Sequence, residues 1–585
     1  MKTDVRFWIL FIGMLALGGL VDASEPFNEV PVSYQGRFRP NDAAARLWLQ
    51  SIYHRDSIKQ EHREPFAIPS GKASDLLWQL DLRGHTLWDD APLFWIKSAA
   101  LKNALSLDLD RSYFSYSELT IAIKKSPQQT DDLLALQQSL LEFSRLQGNI
   151  LTQEKALESS WKKLQEKHAS PKETALSLDM QHPLQQRLSA AGSLLKVLPG
   201  RYHPGEWFSL HALRVQVYDS RKGHLVPVDN FTLYPDDVFA AIRSSYAAWT
   251  EEPSPKRLDA LAETLNHAYG TIAGTPYLEA KGKHLLYPTI TQLKIEAAYY
   301  HYPWITVVIA LYSLACLGLI LSRWGSALMA AAFLLHTCVL AMRCYILQRP
   351  PVSNMFETVV YVPWIAVLIS FFFSNRIIKA AASAAAIVLL VILQLADLNN
   401  SLDNVQAVLD SQFWLIIHVL MVVGSYGVFL LSAVLGHIYL GMYLYERKET
   451  LPMQAISKMI LQTMYLGVAL LIPGTILGGV WAAESWGRFW DWDPKESWAF
   501  ISSCVYVACI HAYRFHHIRS FGLAVGAVMG FLAISFTWYG VNYILGTGLH
   551  SYGFGSGGEI YYYLYLVAEI LFVSIVANGK LKVPS

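Results

Sequence analysis

Apolar positions are distributed unevenly along this 585-residue chain. From residue 301 to the end they form long runs, whereas over residues 25–300 they are scattered among charged and polar side chains. A helix needs about 20 apolar residues to cross about 30 Å of hydrocarbon. Nine runs of that kind occupy 303–321, 326–346, 357–374, 378–397, 412–435, 463–482, 496–514, 520–543 and 559–577, and a further one covers 7–21. The pattern predicts a polytopic all-α helical membrane bundle over 301–585, an exported, mostly helical domain over 25–300, and a signal peptide or anchor helix over 1–24. Within the polar half, 131–168 has helical spacing with few breakers and reads as an amphipathic scaffold helix.

The first 24 residues fit two descriptions. Lys2 and Arg6 precede the apolar run, and "VDA" before Ser24 resembles a small-residue cleavage site. A cleaved signal peptide and a retained anchor both export the segment that follows. Lysine and arginine in the short loops then orient the bundle. With 25–300 outside, the inner side holds Lys2, Arg6, Arg323, Arg376, Lys379, Arg447, Lys448, Lys458, Arg514, Arg519, Lys580 and Lys582. The outer short loops hold only Arg343, Arg349, Arg488 and Lys495. This arrangement expects a multi-pass protein of the inner (cytoplasmic) membrane with its C-terminus inside.

Composition narrows the function. Hydrophobic residues make up 53% and charged residues 16%, which fits a chain in contact with membrane lipid. The net charge of +1 gives no support to a nucleic-acid partner. The cysteines, Cys316, Cys338, Cys344, Cys504 and Cys509, all lie in or beside apolar runs. They form no Cys-x-x-Cys pair and no disulfide framework in the polar half. Residues 25–300 show no nucleophile–base or metal-ligand spacing, and no internal repeat is visible. No residue is assigned a catalytic role.

The chemistry concentrates at "WGRFWDWDPKESWAF", residues 486–500. With Trp481 just upstream, five of the 18 tryptophans fall in 481–498. Asp493-Pro494-Lys495-Glu496 reads as a helix start with a capping box. Trp481, Trp486, Trp490, Trp492 and Trp498 fit either an interfacial aromatic belt or a flat platform for a planar ligand. Two histidines share their side of the membrane: His418, about 10 Å along its helix at 1.5 Å per residue, and His550, in the glycine-rich "GTGLHSYGFGSGGE". A pair of neutral imidazoles beside apolar rings suits an iron porphyrin. His511, about 22 Å along its helix, falls near the inner side. His336 is near the middle of its span, and His437 reads as packing.

Together, "GGVWAAESWGRFWDWDPKESWAFI" at 478–501, "FWLIIHVLMVVGSYGVFLLS" at 413–432, "IHAYRF" at 510–515 and "GVNYILGTGLHSYG" at 540–553 resemble the CcsA (ResC) proteins of system II cytochrome c biogenesis. "RPPVSNMFETVVYVPW" at 349–364 matches the family's segment before an early span. "VPVSYQGRFRPNDAAARLWLQ" at 30–50 resembles an extension of some relatives at Gly36, Arg37 and Pro40, although Asn41-Asp42-Ala43 replaces their acidic-Thr pair.

The resemblance implies haem b as bound substrate or cofactor. It implies that His418 and His550 are iron ligands beneath the tryptophan loop, with Trp481, Trp486, Trp490, Trp492, Asp493 and Trp498 around the cofactor. It also implies a second, inner haem site at His511, to which His336 could contribute. Its partners would be a CcsB/ResB-like membrane protein and apocytochrome c, and its role that of a component of a cytochrome c synthase. Arg343, Arg349 and Arg488 are each either a propionate partner or an ordinary interfacial arginine. Two other classes compete: a b-type electron-transfer subunit, which would place paired histidines within the bundle, and a haem or solute transporter, which would show repeats or broken helices at mid-depth.

Overall fold

The computed structural model describes residues 26–34, 36–68, 71–83, 88–125, 130–146, 196–200, 207–213, 216–219, 224–227, 232–280, 283–321, 324–396, 398, 400, 402, 411–546 and 559–581. The run at 7–21, residues 147–168 of the expected scaffold helix, and His550 lie outside the described residues. The chain divides into two compact units, Met1–Tyr302 and Pro303–Ser585.

Helices predominate in the first unit, but short strands that the sequence reading did not name sit among them. A four-stranded antiparallel sheet runs in the order Arg37–Pro40, Pro31–Tyr34, Lys196–Pro199, Trp207–Ser209. Its first hairpin pairs Tyr34 with Arg37 across a turn in which Gly36 takes φ +72°, a conformation that costs glycine nothing. Arg37 then places its guanidinium against Glu296, with Nη2 2.6 Å from Oε2 and Nη1 3.2 Å from Oε1. Pro40 ends the strand and precedes the helix Asn41–Tyr53. Gly36, Arg37 and Pro40 thus serve as turn, ion pair and strand-to-helix junction. The core of this unit mixes aliphatic and aromatic side chains, with Trp48, Trp78, Tyr53, Tyr269 and Tyr287 among those buried.

In the second unit, helix fills each of the nine apolar runs. The helices are α1 (Trp304–Leu321), α2 (Gly325–Leu347), α3 (Met355–Ser370), α4 (Arg376–Leu395), α5 (Leu420–Glu446), α6 (Leu451–Trp486), α7 (Pro494–Arg514), α8 (Ser520–Ser535) and α9 (Glu559–Leu581). Among the described residues seven helical stretches are long and apolar enough to cross a membrane. The two remaining are α3, whose 16 residues reach about 24 Å at 1.5 Å per residue, and α7, which carries Lys495, Glu496 and Arg514. The chain is a multi-pass helical membrane protein.

Helix α5 is the hub, touching α3, α4, α6, α8 and α9. Glycines let its neighbours approach. A methyl added at Gly427 would lie 2.5 Å from the Val362 carbonyl oxygen on α3, and one at Gly467 on α6 would lie 2.5 Å from the Phe429 ring. Such small-residue contacts replace the hydrophobic driving force that is missing between helices in lipid.

Two π-helical segments interrupt the bundle: Leu415–Val419, which leads into α5, and Phe536–Leu545, which continues α8. Wider π turns often mark functional positions because they re-aim side chains. Both lie at one end of the bundle. Phe429 meets Gly467 while His418 meets Gly478, so α5 and α6 run antiparallel. Tyr426 meets Trp538 while Tyr443 meets Phe521, so α5 and α8 do too.

Candidate functional site

His418 sits inside the first π-helical segment and is held from three directions. Its Nδ1 lies 2.7 Å from the carbonyl oxygen of Gly474 on α6. A carbonyl only accepts, so Nδ1 carries the proton, and the neutral ring keeps its lone pair on Nε2. This is how metal-ligating histidines are oriented, through a hydrogen bond from the nitrogen that does not bind the metal. One turn further along α6, Gly478 forms the floor: a methyl there would lie 2.5 Å from Cε1 of the imidazole. Another turn on, the Trp481 ring stands at 65° to the imidazole with centroids 5.8 Å apart. Positions 474, 478 and 481 form one helix face at i, i+4 and i+7.

Gly478→Ala therefore has a specific expected effect. The methyl must push the imidazole off the Gly474 carbonyl or separate α5 from α6, a strain of about 1–3 kcal/mol. Gly441→Ala is the control, because nothing lies within 4 Å of a methyl there, and alanine favours a helix by up to about 1 kcal/mol. Thermal unfolding of the purified protein in detergent should show a lower midpoint for Gly478→Ala and none for Gly441→Ala. Equal midpoints would mean the imidazole is not seated on Gly478.

The tryptophans do not form one continuous wall. Trp481 stacks on Trp414, with centroids 6.5 Å apart and planes 11° apart. Trp414 was not singled out in the sequence; four residues before His418, it lies on the same helical face. Its indole N–H donates to Glu484 Oε2 at 2.7 Å. Trp486 lies under the Arg488 guanidinium, 5.4 Å from its carbon. Trp490 and Trp492 meet edge to face at 5.9 Å, and Trp492 is 69% exposed. Trp498 packs on Phe536 of the second π segment at 4.3 Å.

The loop between α6 and α7 is organised by one carboxylate. Asp493 caps α7, accepting from Lys495 N at 3.0 Å, and the capping box with Glu496 is complete. Glu496 also accepts from Asp491 N at 2.9 Å, Asp493 N at 3.3 Å and Arg488 Nη1 at 3.0 Å. These bonds hold Trp492 at φ +56°, a left-handed conformation that costs a non-glycine residue about 1–2 kcal/mol. Gly479 makes room for the loop: a methyl there would lie 2.8 Å from the Phe489 ring.

The other histidines are held differently. His336 is fully buried, with Nε2 3.0 Å from the Val360 carbonyl and Nδ1 3.3 Å from the Tyr312 hydroxyl. Both nitrogens are occupied, tying α1, α2 and α3 together, and a metal would have to displace one bond. His511 is exposed on α7 and donates from Nδ1 to the Val507 carbonyl at 2.8 Å, which leaves the lone pair of the neutral ring on Nε2. His437 bonds the Ala433 carbonyl through Nδ1 and Glu569 Oε2 through Nε2, each at 2.8 Å. The His437–Glu569 pair was missed because its members lie 132 residues apart. The visible signal was a lone acid inside one apolar run and a lone histidine just past the end of another.

The arginines also separate. Arg343 is fully buried and committed to Glu357 at 2.9 Å and to Asn400 at 2.9 Å. Arg349 donates to Ser353 at 3.3 Å. Arg488 pairs with Glu496 and Asp491, yet its Nη2 is buried without a hydrogen-bond partner. Among the described residues no cluster of three or more His, Cys, Asp or Glu side chains is arranged to hold a metal ion. A haem iron needs only axial donors.

Residues 352–550, which include His418, the tryptophan loop and His511, match the family model described as "Cytochrome C assembly protein". The chain is 34% identical over 233 residues to protein NrfI of Wolinella succinogenes, covering 38% of this chain and 25% of NrfI, so it spans a quarter of that relative. It is 30% identical over 259 residues to the cytochrome c biogenesis protein CcsA of Olimarabidopsis pumila, covering 35% of this chain and 78% of that protein. Against CcsA of Prochlorococcus marinus it is 28% identical over 302 residues, covering 43% and 95%. The oriented imidazole, the tryptophan loop clamped onto the next helix, the family model that spans both, and these relatives lead to one assignment: the chain belongs to the CcsA family of cytochrome c biogenesis proteins.

Proposed function

We propose that this chain binds haem b at the end of the bundle that carries His418 and presents it to apocytochrome c for covalent attachment. The observation that carries the proposal is the seating of His418. The Gly474 carbonyl fixes its tautomer, Gly478 admits the ring, and Trp481 offers an apolar edge beside it. An axial ligand is served by all three: a lone pair left on the nitrogen that does not bond Gly474, a fixed ring plane and an apolar neighbour. The second π segment and Trp498 bring the chain to this same end just before residues 547–558, which contain His550, the proposed opposite ligand. The partnerless Nη2 of Arg488 is the donor a propionate would satisfy.

The short-loop lysine and arginine bias supports putting this end at the outer face of the inner membrane. There the substrate supplies two thiols. Each S–H adds across a haem vinyl group, forming one C–S and one C–H bond, so no side chain of this protein has to act as nucleophile. The protein's part is placement and exclusion of water. His511, with its outward lone pair on an exposed helix face, is the proposed contribution to an inner haem site completed by a CcsB/ResB-like partner, from which haem would be exported. The unit Met1–Tyr302 is proposed to lie outside and dock a partner protein. The electron-transfer alternative is disfavoured by His336 and His437, whose ring nitrogens are all hydrogen-bonded.

The test is co-expression with an apocytochrome c, with and without a CcsB/ResB-like partner, followed by a haem stain under denaturing conditions. Covalent haem on the cytochrome, dependent on this chain, is expected. Haem that co-purifies with this chain but never becomes covalent on the cytochrome would place the chain among haem carriers or electron-transfer subunits.

A further inference from the structure

The proposed haem ligand belongs to a two-helix arrangement that continues past it. Trp414 and His418 lie four residues apart on one helix; Trp481 and Glu484 lie three apart on α6. Across the antiparallel pair, Glu484 accepts the Trp414 N–H at 2.7 Å, Trp414 stacks on Trp481, and Trp481 stands edge to face against His418. Trp414 is buried. Its indole has a single N–H and no acceptor, so Glu484 fixes the in-plane rotation of the ring. A stacked pair at 11° passes that orientation to Trp481.

We propose that Trp414 and Glu484 are positioning residues for the outer haem site: the carboxylate locks Trp414, Trp414 sets Trp481, and Trp481 holds the imidazole of His418 in the plane an axial ligand requires. This deepens the haem-binding reading above and rests on it. Neither residue touches the iron. Glu484 is exposed, and its removal leaves the helix–helix contacts at Gly474 and Gly478 in place.

The experiment uses the full-length protein in detergent and the variants Glu484→Ala, Glu484→Gln, Trp414→Phe, the double variant Glu484→Ala/Trp414→Phe, and His418→Ala. The first readout needs no haem: the near-ultraviolet circular dichroism of the stacked indoles should weaken in Glu484→Ala and persist in Glu484→Gln, whose amide oxygen still accepts the N–H. The second is haem titration with the absorption spectrum of the complex. Glu484→Ala and Trp414→Phe should each lower affinity on the order of 10-fold, as loss of a supporting contact does, with a changed spectrum. Glu484→Gln should stay within about twofold. The double variant should be no weaker than the weaker single one, because both remove one hydrogen bond.

Wild-type affinity and spectrum in Glu484→Ala and Trp414→Phe, with haem lost from His418→Ala, would overturn the positioning role and leave the haem reading standing. Additive losses in the double variant would overturn it too. Haem retained unchanged by His418→Ala would sink the haem reading itself, and the positioning role with it.

Discussion

His418→Ala should abolish stable haem binding at this end of the bundle and stop cytochrome c maturation, while the protein still inserts and purifies as a helical bundle. The substitution removes a ring that α6 is shaped to receive and leaves space beneath Trp481. Perturbing only the residues that support a ligand costs about 10–100-fold in affinity, so losing the ligand should cost at least that. The measurements are haem content by absorption after purification and covalent haem on a co-expressed cytochrome. Added imidazole should restore part of both, because a free imidazole can enter the vacated space and supply the missing nitrogen. Unchanged haem content and maturation would remove His418 from the site. His550→Ala carries the same expectation from the family resemblance.

The rescue separates two causes of failure. If the variant failed because α5 and α6 no longer packed, imidazole would restore nothing. Gly478→Ala sharpens the contrast, since it keeps the imidazole but displaces it. Haem loss in both variants, with imidazole rescue only in His418→Ala, would mean that placement of the ligand matters as well as its presence.

The helices of the second unit were legible because a membrane demands long apolar stretches, and length alone nearly suffices. Asp493 and Glu496 were legible as a capping box because the chemistry is local, four residues in a row. The strands of the first unit were harder, being two to five residues long with partners such as Pro31–Tyr34 and Lys196–Pro199 far apart in sequence. One hairpin did leave a trace: Val30, Val32 and Tyr34 alternate toward the core before Gly36 turns the chain.

At the site, the sequence pointed to His418 and the tryptophans but not to what holds them. The Gly474 carbonyl that fixes the imidazole is a backbone atom 56 residues away, invisible to a search for side-chain chemistry. The π turn at Leu415–Val419 has no marker in an all-apolar stretch. Trp414 and Glu484 escaped notice because their pairing depends on the register of two antiparallel helices, which no local pattern fixes. The tryptophan cluster suggested one surface. The fold instead divides it, because Trp481 and Trp498 lie on different helices and face different neighbours.

Glu357→Ala should be among the most destabilising single substitutions in the membrane unit. Arg343 and Glu357 are both fully buried, 2.9 Å apart, near the facing ends of α2 and α3. Glu357 also accepts from the Ser353 backbone N–H at 2.8 Å and hydroxyl at 2.7 Å, and Arg343 reaches Asn400 beyond α4. Removing the acid leaves a guanidinium that cannot give up its proton, buried without the Glu357 carboxylate. Breaking one side of a buried pair costs about 3–5 kcal/mol, and a charge inside a membrane protein has few other partners to reach. Thermal unfolding in detergent should show a large drop for Glu357→Ala and much of it recovered in the double variant Arg343→Met/Glu357→Leu, which removes both charges and keeps the volume. A double variant as unstable as the single would mean that the hydrogen bonds to Ser353 and Asn400, and not the balance of charge, hold these helices. A single variant as stable as the wild type would mean that water reaches Arg343 and that the pair is not sealed in the bundle.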